Sequence, residues 1–560
     1  MRHKSFLQKM TAPKQVTLAD WLAMKPYDTP IANYDSFYLQ QCQTVHSLLK
    51  KQDLWFKKYG ITEPQFRELS CQLVSYFEDY IVEIGLWSSF IEFNKELYHY
   101  PLPFYDLTDY DETYINVEDI AFLIWHYLTK YSPEEYIINP DHDCIMIVSQ
   151  SIFKHFENVM EQAPAINVYE NIFTIKDDEN YFVFKSKMKW FSTQSYLIGV
   201  DLDKKLQKTK EGLTKEALKG STPLAAAHIN KILYSMIEKY LYQKRCSFSA
   251  LNGPEWFAKI AKCSDIRKQE IIDLTYWIDG KFLLKERQKT HFVFEHILTK
   301  TQYKATIDSF QNNKEMQPLE NYAYNMHLIR WNGEYLLSGM MYTERMTPLS
   351  IKQYKAKTLE TPWILSETSI ENMKKTTNNM YETFLEFHGS PLTICENDAE
   401  AQKASLQFME FYHSKIKKDD TNTLEEDLKK YHEKLGQSGE EAFKSFSLNP
   451  NFKTSVGIFF IKNVGIYTFA RAKNVIHLLK KTTLTNQEKA DLCVDFINGY
   501  NPDLCNYLIA QFGGDNIEFP TQDTDVDVIK HLPFFWRMNS PEEFERSYPL
   551  MTLVDSDVIE

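Results

Sequence analysis

Glycine is scarce in this chain, with 17 in 560 residues, where an average share of ~7% would supply roughly forty. The shortage excludes collagen-like and other glycine-dependent architectures. No G-x-x-x-x-G-K-[ST], G-x-G-x-x-G or G-x-S-x-G motif occurs, so the tight phosphate-binding turns and the nucleophile elbow built on such glycines are missing. H-E-x-x-H is missing as well. Cysteine is equally thin: eight, at positions 42, 71, 144, 246, 263, 395, 493 and 505, with no C-x2-C pair. They are too sparse for a disulfide framework or structural zinc, and read as isolated thiols of a reducing compartment. Long apolar runs are lacking too. VGIFFIKNVGIYTFA, from Val456, is broken by Lys462 and Asn463 and is too short to span a bilayer. The opening MRHKSFLQKMTAPKQ carries no apolar stretch of signal-peptide length. The expected location is therefore cytoplasmic, with no membrane partner, and either Met1 or Met10 would serve as the start.

Aromatic side chains and acidic charge are plentiful. The chain holds 37 phenylalanines and 34 tyrosines, and 43% of it is hydrophobic, enough for a large core. Its length exceeds the roughly 250 to 300 residues at which single cores stop growing, which implies several domains. Acidic residues number 76 against 63 basic ones, a formal net charge of -13. That field repels phosphate backbones and disfavours nucleic acid as a partner.

Hydrophobic periodicity predicts an α+β multidomain protein. A mainly helical domain spans 15–279. Tyr38, Cys42, Val45 and Leu49 recur at helical spacing, Thr62 and Gln65 form a capping box, and Asn116 opens a further helix. At 280–346 short alternating segments predict a small embedded antiparallel β-barrel, with a hairpin about Asn332-Gly333, a dipeptide that favours the type I′ turn. A helical region at 347–445 follows, with its best linker candidate at Gly436. A C-terminal α+β unit at 450–560 opens on a hairpin about Asn463 and contains a Thr485/Glu488 capping box.

Few residues carry a chemical signature. Asp523, Asp525 and Asp527 alternate as a solvated strand face would, without the glycine and glutamate of a calcium loop. Asp141, His142 and Asp143 follow Pro140 and read as a helix start. Cys246 and Cys263 with His228 are one conceivable nucleophile group among many arbitrary pairs. Lys285, Arg287 and Lys289 read as edge protection. No catalytic, cofactor-binding or metal-binding residue is assigned, and no cofactor is expected. The residues singled out for partner binding are Trp331, expected to be partly exposed near the barrel rim, its neighbour Tyr335, and the helix-face pair Lys473 and His477.

Several segments resemble a family of uncharacterised proteins of Bacteroides-type bacteria, a domain of unknown function. They are LADWLAMKPYDTP with the following YDSFYLQQCQTVHSLL, then EDIAFLIWHYLT, the INP at Ile138 to Pro140, and FENVMEQAPAIN ending at Asn167. The resemblance implies a bacterial protein and brings no catalytic or binding residues with it. The leading expectation is a structural or protein-interaction module whose partner is a protein. A hydrolase with a site outside known motifs and a nucleic-acid-associated or defence protein are the alternatives, and the oligomeric state stays open.

Overall fold

In this computed structural model the described residues are 15–132, 137–199, 201–202, 209, 211–212, 224–358, 367–419, 454–462, 464–520 and 526–542. The chain forms two compact units, each drawn from separate stretches of sequence. One takes residues 1–278, 327–340 and 519–544; the other takes 279–326, 341–518 and 545–560.

The first unit is helical because its sequence caps and stripes its helices. Thr62 and Gln65 make the expected capping box ahead of helix Glu63–Val82, and Asn116 stands at the N-cap of helix Val117–Tyr131. Around them lie helices Tyr34–Leu49, Leu86–Tyr98, Asp143–Val159, Tyr181–Thr193, Leu224–Tyr242, Gly253–Ile260, Asp265–Asp273 and Val528–Asn539. Aromatic rings fill the core: Phe77 stacks on Phe156 at 4.5 Å and Phe104 sits 4.7 Å from Trp125, the large apolar burial that aromatic-rich chains offer.

Three buried carboxylates of this core are multiply bonded, as burial favours. Lys25 is bonded to Glu78, whose Oε1 also accepts the Tyr34 and Tyr169 hydroxyls at 2.6 and 3.0 Å. Asp79 accepts the backbone N–H groups of Gly85 and Trp87 and the Tyr196 hydroxyl, each at 2.8 Å. Asp119 accepts the hydroxyls of Tyr76 and Tyr110 at 2.5 and 2.8 Å. Burial outweighs these bonds and pushes both carboxyls up to about 6.

Strands β1 (Ile278–Arg287), β2 (His291–His296), β3 (Gln302–Thr306), β4 (Tyr322–Trp331) and β5 (Glu334–Arg345) run in the order β1-β2-β3-β5-β4. The β1–β2 ladder is antiparallel from Phe282↔His296 to Arg287↔Phe292, and β2–β3 from His291↔Thr306 to Glu295↔Gln302. The expectation of a small barrel domain embedded at 280–346 requires correction. The division between the units runs through β4 and β5, so that the hairpin His327–Met340 belongs with the helices. The physical reason is where the hairpin side chains are buried: Leu328, Ile329, Trp331 and Leu337 are all buried, and Trp331 stacks on Phe184 of helix Tyr181–Thr193. The protein is mostly helical, and these strands are not a barrel module of their own.

The rest of the second unit contains a three-stranded antiparallel sheet, β6 (Leu392–Cys395), β7 (Val456–Ile461) and β8 (Gly465–Ala470), in the order β6-β7-β8. The region 347–445, expected to be helical, thus also donates a strand, β6. The hairpin of β7 and β8 is as expected; Asn463 at its turn lies outside the described residues, as does the linker candidate at Gly436. Every residue of β7 is buried, and Met380, Phe384, Phe408, Ile458 and Phe460 form the core beneath it. A Cβ at Gly457 would lie 2.2 Å from the Phe469 ring, so only glycine fits there. Thr485 and Glu488 form their capping box ahead of helix Asn486–Val494.

Candidate functional site

Trp331 ends β4, directly before the turn. Asn332 and Gly333 have φ values of 51° and 76°, the two positive angles that a type I′ turn demands. The expected exposure of Trp331 is not present: the indole is 2% exposed. It stacks on Phe184, its Nε1 donates to the Glu179 carbonyl at 2.8 Å, and the Arg267 guanidinium lies 4.3 Å from its ring centre. Arg267 also donates to Asn332 Oδ1 at 2.7 Å and to the Asp177 carbonyl. Trp331 is therefore the post on which the hairpin stands. Tyr335 is half-buried on β5. Lys473 and His477 belong to the other unit, exposed on helix Ala472–Lys480, with Lys473 bonded to Glu396.

The same hairpin carries Ser338 into a polar node between two helices. Tyr181 and Lys185, one turn apart on helix Tyr181–Thr193, reach it from one side, and Glu238 and Tyr242 of helix Leu224–Tyr242 approach from the other. The Tyr181 hydroxyl lies 2.6 Å from the Tyr242 hydroxyl and 2.8 Å from Ser338 Oγ. Lys185 Nζ donates to Glu238 Oε1 at 2.7 Å and to Ser338 Oγ at 3.3 Å, and Ser338 donates to Glu238 Oε2 at 3.1 Å. Gly339 has φ +77°, and a Cβ there would lie 2.8 Å from Glu238 Cγ, so the close approach depends on glycine.

A serine between lysine and tyrosine contains the parts of a nucleophile. Here Glu238 occupies both the lysine and the serine proton, Ser338 is fully buried, and burial drives Tyr181 and Tyr242 above the ordinary phenol range. The node is a latch that fixes two helices and a strand.

Three exposed apolar side chains lie close in sequence to residues of the latch. Phe182, 38% exposed, lies three residues before Lys185; Tyr234, 57% exposed, lies four before Glu238; Met340, 46% exposed, follows Gly339. Residues three and four apart share a helix face, which puts Phe182 on the face of Lys185 and Tyr234 on the face of Glu238; Met340 lies on β5, two residues after Ser338.

Two other groupings contain titratable residues. An open cleft of about 610 Å³ is lined by Gln15, His46, Ser47, Lys50 and Glu63. His46 Nε2 and Lys50 Nζ lie 3.2 and 2.9 Å from the two Glu63 oxygens. Burial raises the Glu63 carboxyl, but its bonds to Lys50 and His46 outweigh that and hold it below its ordinary value. Burial lowers Lys50, but Asp53 and Glu63 outweigh it and lift the ammonium above its usual range, while burial lowers His46. Acid–base catalysis calls for values drawn toward neutrality; these move away from it, as a structural ion-pair cluster does. In the second grouping Ser247 donates to Asp201 Oδ1 at 2.8 Å, Lys130 pairs with Asp201 at 3.0 Å, and His126 Nε2 meets Ser247 Oγ at 3.1 Å. Desolvation opposes ionisation of Asp201, yet Lys130, His126 and Ser247 hold it well below its ordinary range, which makes it a poor base for Ser247.

The remaining sequence candidates are placed as follows. Burial pushes the Cys246 and Cys263 thiols up, and the side chain of His228 lies outside the described residues. His142 is the N-cap of its helix, where its Nδ1 accepts from Cys144 N at 3.1 Å. Asp527 caps helix Val528–Asn539; Asp523 and Asp525 lie outside the described residues. Lys285 and Arg287 pair with Glu295 and Glu315. Among the described residues no group of three or more His, Cys, Asp or Glu is placed to hold a metal ion, and no helix is long and apolar enough to cross a membrane.

Residues 15–282 match a family model described as Protein of unknown function (DUF3843), and the segments carrying the resemblance noted above fall within that span. No curated protein and no solved structure matches the chain.

Proposed function

We propose that the helical unit is a protein-interaction module, with Phe182, Tyr234 and Met340 as its contact side chains. The observation that carries this reading is the latch beneath them. Ser338, Tyr181, Lys185 and Glu238 tie both helices and β5 together, so the apolar side chains stand on a surface that is already ordered. Preordering lowers the entropic cost of association, and aromatic residues and methionine are the types enriched at interface centres. We place this activity in the cytoplasm of a Bacteroides-type bacterium; all eight cysteines are free thiols, as a reducing compartment favours.

Affinity purification from the native cell at endogenous level, with gel filtration of the eluate, tests the reading. Tyr234→Ala with Met340→Ser is expected to leave urea unfolding within ~0.5 kcal/mol and to release the partner, since truncated anchors cost about 2 kcal/mol or more of binding. Co-elution of the same partner with the double variant, or elution of the wild-type chain alone, would refute it.

A further inference from the structure

Arg537 lies near the end of helix Val528–Asn539 and is fully buried. Its Nη2 donates to Asn94 Oδ1 at 2.8 Å and to the Phe248 carbonyl at 2.6 Å. Among the described residues Nε and Nη1 find no acceptor and no carboxylate faces the guanidinium. The rings of Phe534, Tyr98 and Phe93 lie 4.9, 5.0 and 5.7 Å from its Cζ and compensate the charge only in part. A positive charge without a counter-ion is costly to keep from water.

The rest of the helix is fastened by rings. Phe534 lies 5.4 Å from Phe104, Phe535 lies 5.1 Å from Phe104 and 5.8 Å from Trp125, and His531 meets the Tyr100 hydroxyl at 3.1 Å. Pro533 sits inside the helix and removes one backbone donor from its ladder.

We propose that helix Val528–Asn539 is a reversible strap on the helical unit, held shut by aromatic packing and eased open by the unpaired Arg537 guanidinium, and that opening bares an aromatic groove of Phe93, Tyr98, Phe104, Phe122 and Trp125. The asymmetry is physical. On opening, the guanidinium regains its hydration while the rings lose their contacts, so the charge subtracts from a fastening that is otherwise as apolar as the core. An unbranched apolar side chain of similar reach would keep the packing and remove the opposing contribution.

Amide hydrogen exchange on the full chain, resolved by mass spectrometry, tests this. In the wild type, residues 528–539 are expected to exchange at least about a hundred-fold faster than the core helix Val117–Tyr131, as a sub-global opening does. Arg537→Met is expected to slow exchange of 528–539 roughly ten-fold or more, leaving 117–131 unchanged, because removing a buried charge in favour of apolar packing strengthens docking. Equal rates for the two helices in the wild type would overturn the strap. An unchanged or faster rate in Arg537→Met would overturn the role of the charge. Arg537→Gln, which removes the charge with a shorter, neutral polar side chain, is expected to slow the helix in the same direction and decides the point should the methionine variant not fold.

Discussion

The indole of Trp331 lies almost parallel to the ring of Phe184, 4.6 Å away between centroids and 23° between planes. This contact joins the end of β4 to helix Tyr181–Thr193, the helix that also carries Tyr181, Phe182 and Lys185. The hairpin, the latch and the exposed Phe182 thus share one foundation.

Trp331→Ala is expected to lower stability by about 3 to 5 kcal/mol, the usual cost of truncating a fully buried tryptophan, and to expose the amides of residues 327–340 to exchange. Urea unfolding combined with hydrogen exchange measures both. A loss below ~0.5 kcal/mol would show that the indole does not support the hairpin.

Asp119, like Asp79, is held near 6 in the folded protein against an ordinary 3.8. The folded state therefore binds more protons between those values, and each carboxyl adds stability as the pH falls through 6. From pH 7 to 5 one such group contributes roughly 1 kcal/mol. Asp119→Asn is expected to lose that gain, so its Tm relative to wild type drops further at pH 5 than at pH 7. A constant Tm difference across the range would contradict the raised value.

His531 works in the opposite sense. Burial first, with Lys530 adding to it, lowers it to about 4 from 6.5, so the unfolded chain binds more protons between those values and stability is lost as the pH falls below 6.5. From pH 7 to 5 that loss is roughly 2 kcal/mol. His531→Phe is expected to gain on wild type in thermal melts as the pH is lowered; a pH-independent difference would sink the argument.

Gly457→Ala places a methyl against the Phe469 ring and is expected to destabilise the three-stranded sheet by about 1 to 3 kcal/mol, the range for overpacking. Chemical unfolding followed through the amides of β7 and β8 reads this directly. An unaffected sheet would mean that Phe469 moves aside without cost.

Local signals were legible in the sequence wherever their causes are local. The capping boxes at Thr62/Gln65 and Thr485/Glu488 and the Asn332-Gly333 turn depend on residues within a few positions of one another, and all three are found. The burial of Trp331 is decided by Phe184 and Arg267, distant in sequence, so no local pattern reveals it. The latch was hidden for the same reason. Tyr181 and Lys185 show their one-turn spacing, but nothing nearby announces Ser338, about 150 residues downstream. The barrel expectation failed at the level of allegiance: alternation identifies strands, yet it does not reveal that the tips of β4 and β5 bury their side chains with the helices.

The assembly of the helical unit from three separate stretches sets a timetable for its synthesis. Helix Val528–Asn539 leaves the ribosome about 250 residues after the main helical stretch ends at residue 278, which at ~5 to 20 residues per second is roughly 12 to 50 seconds. During that interval Phe104, Trp125 and Phe122 await the rings that cover them in the finished protein. The nascent chain therefore carries an uncovered aromatic surface late into translation, where chaperone capture and aggregation compete with completion of the fold.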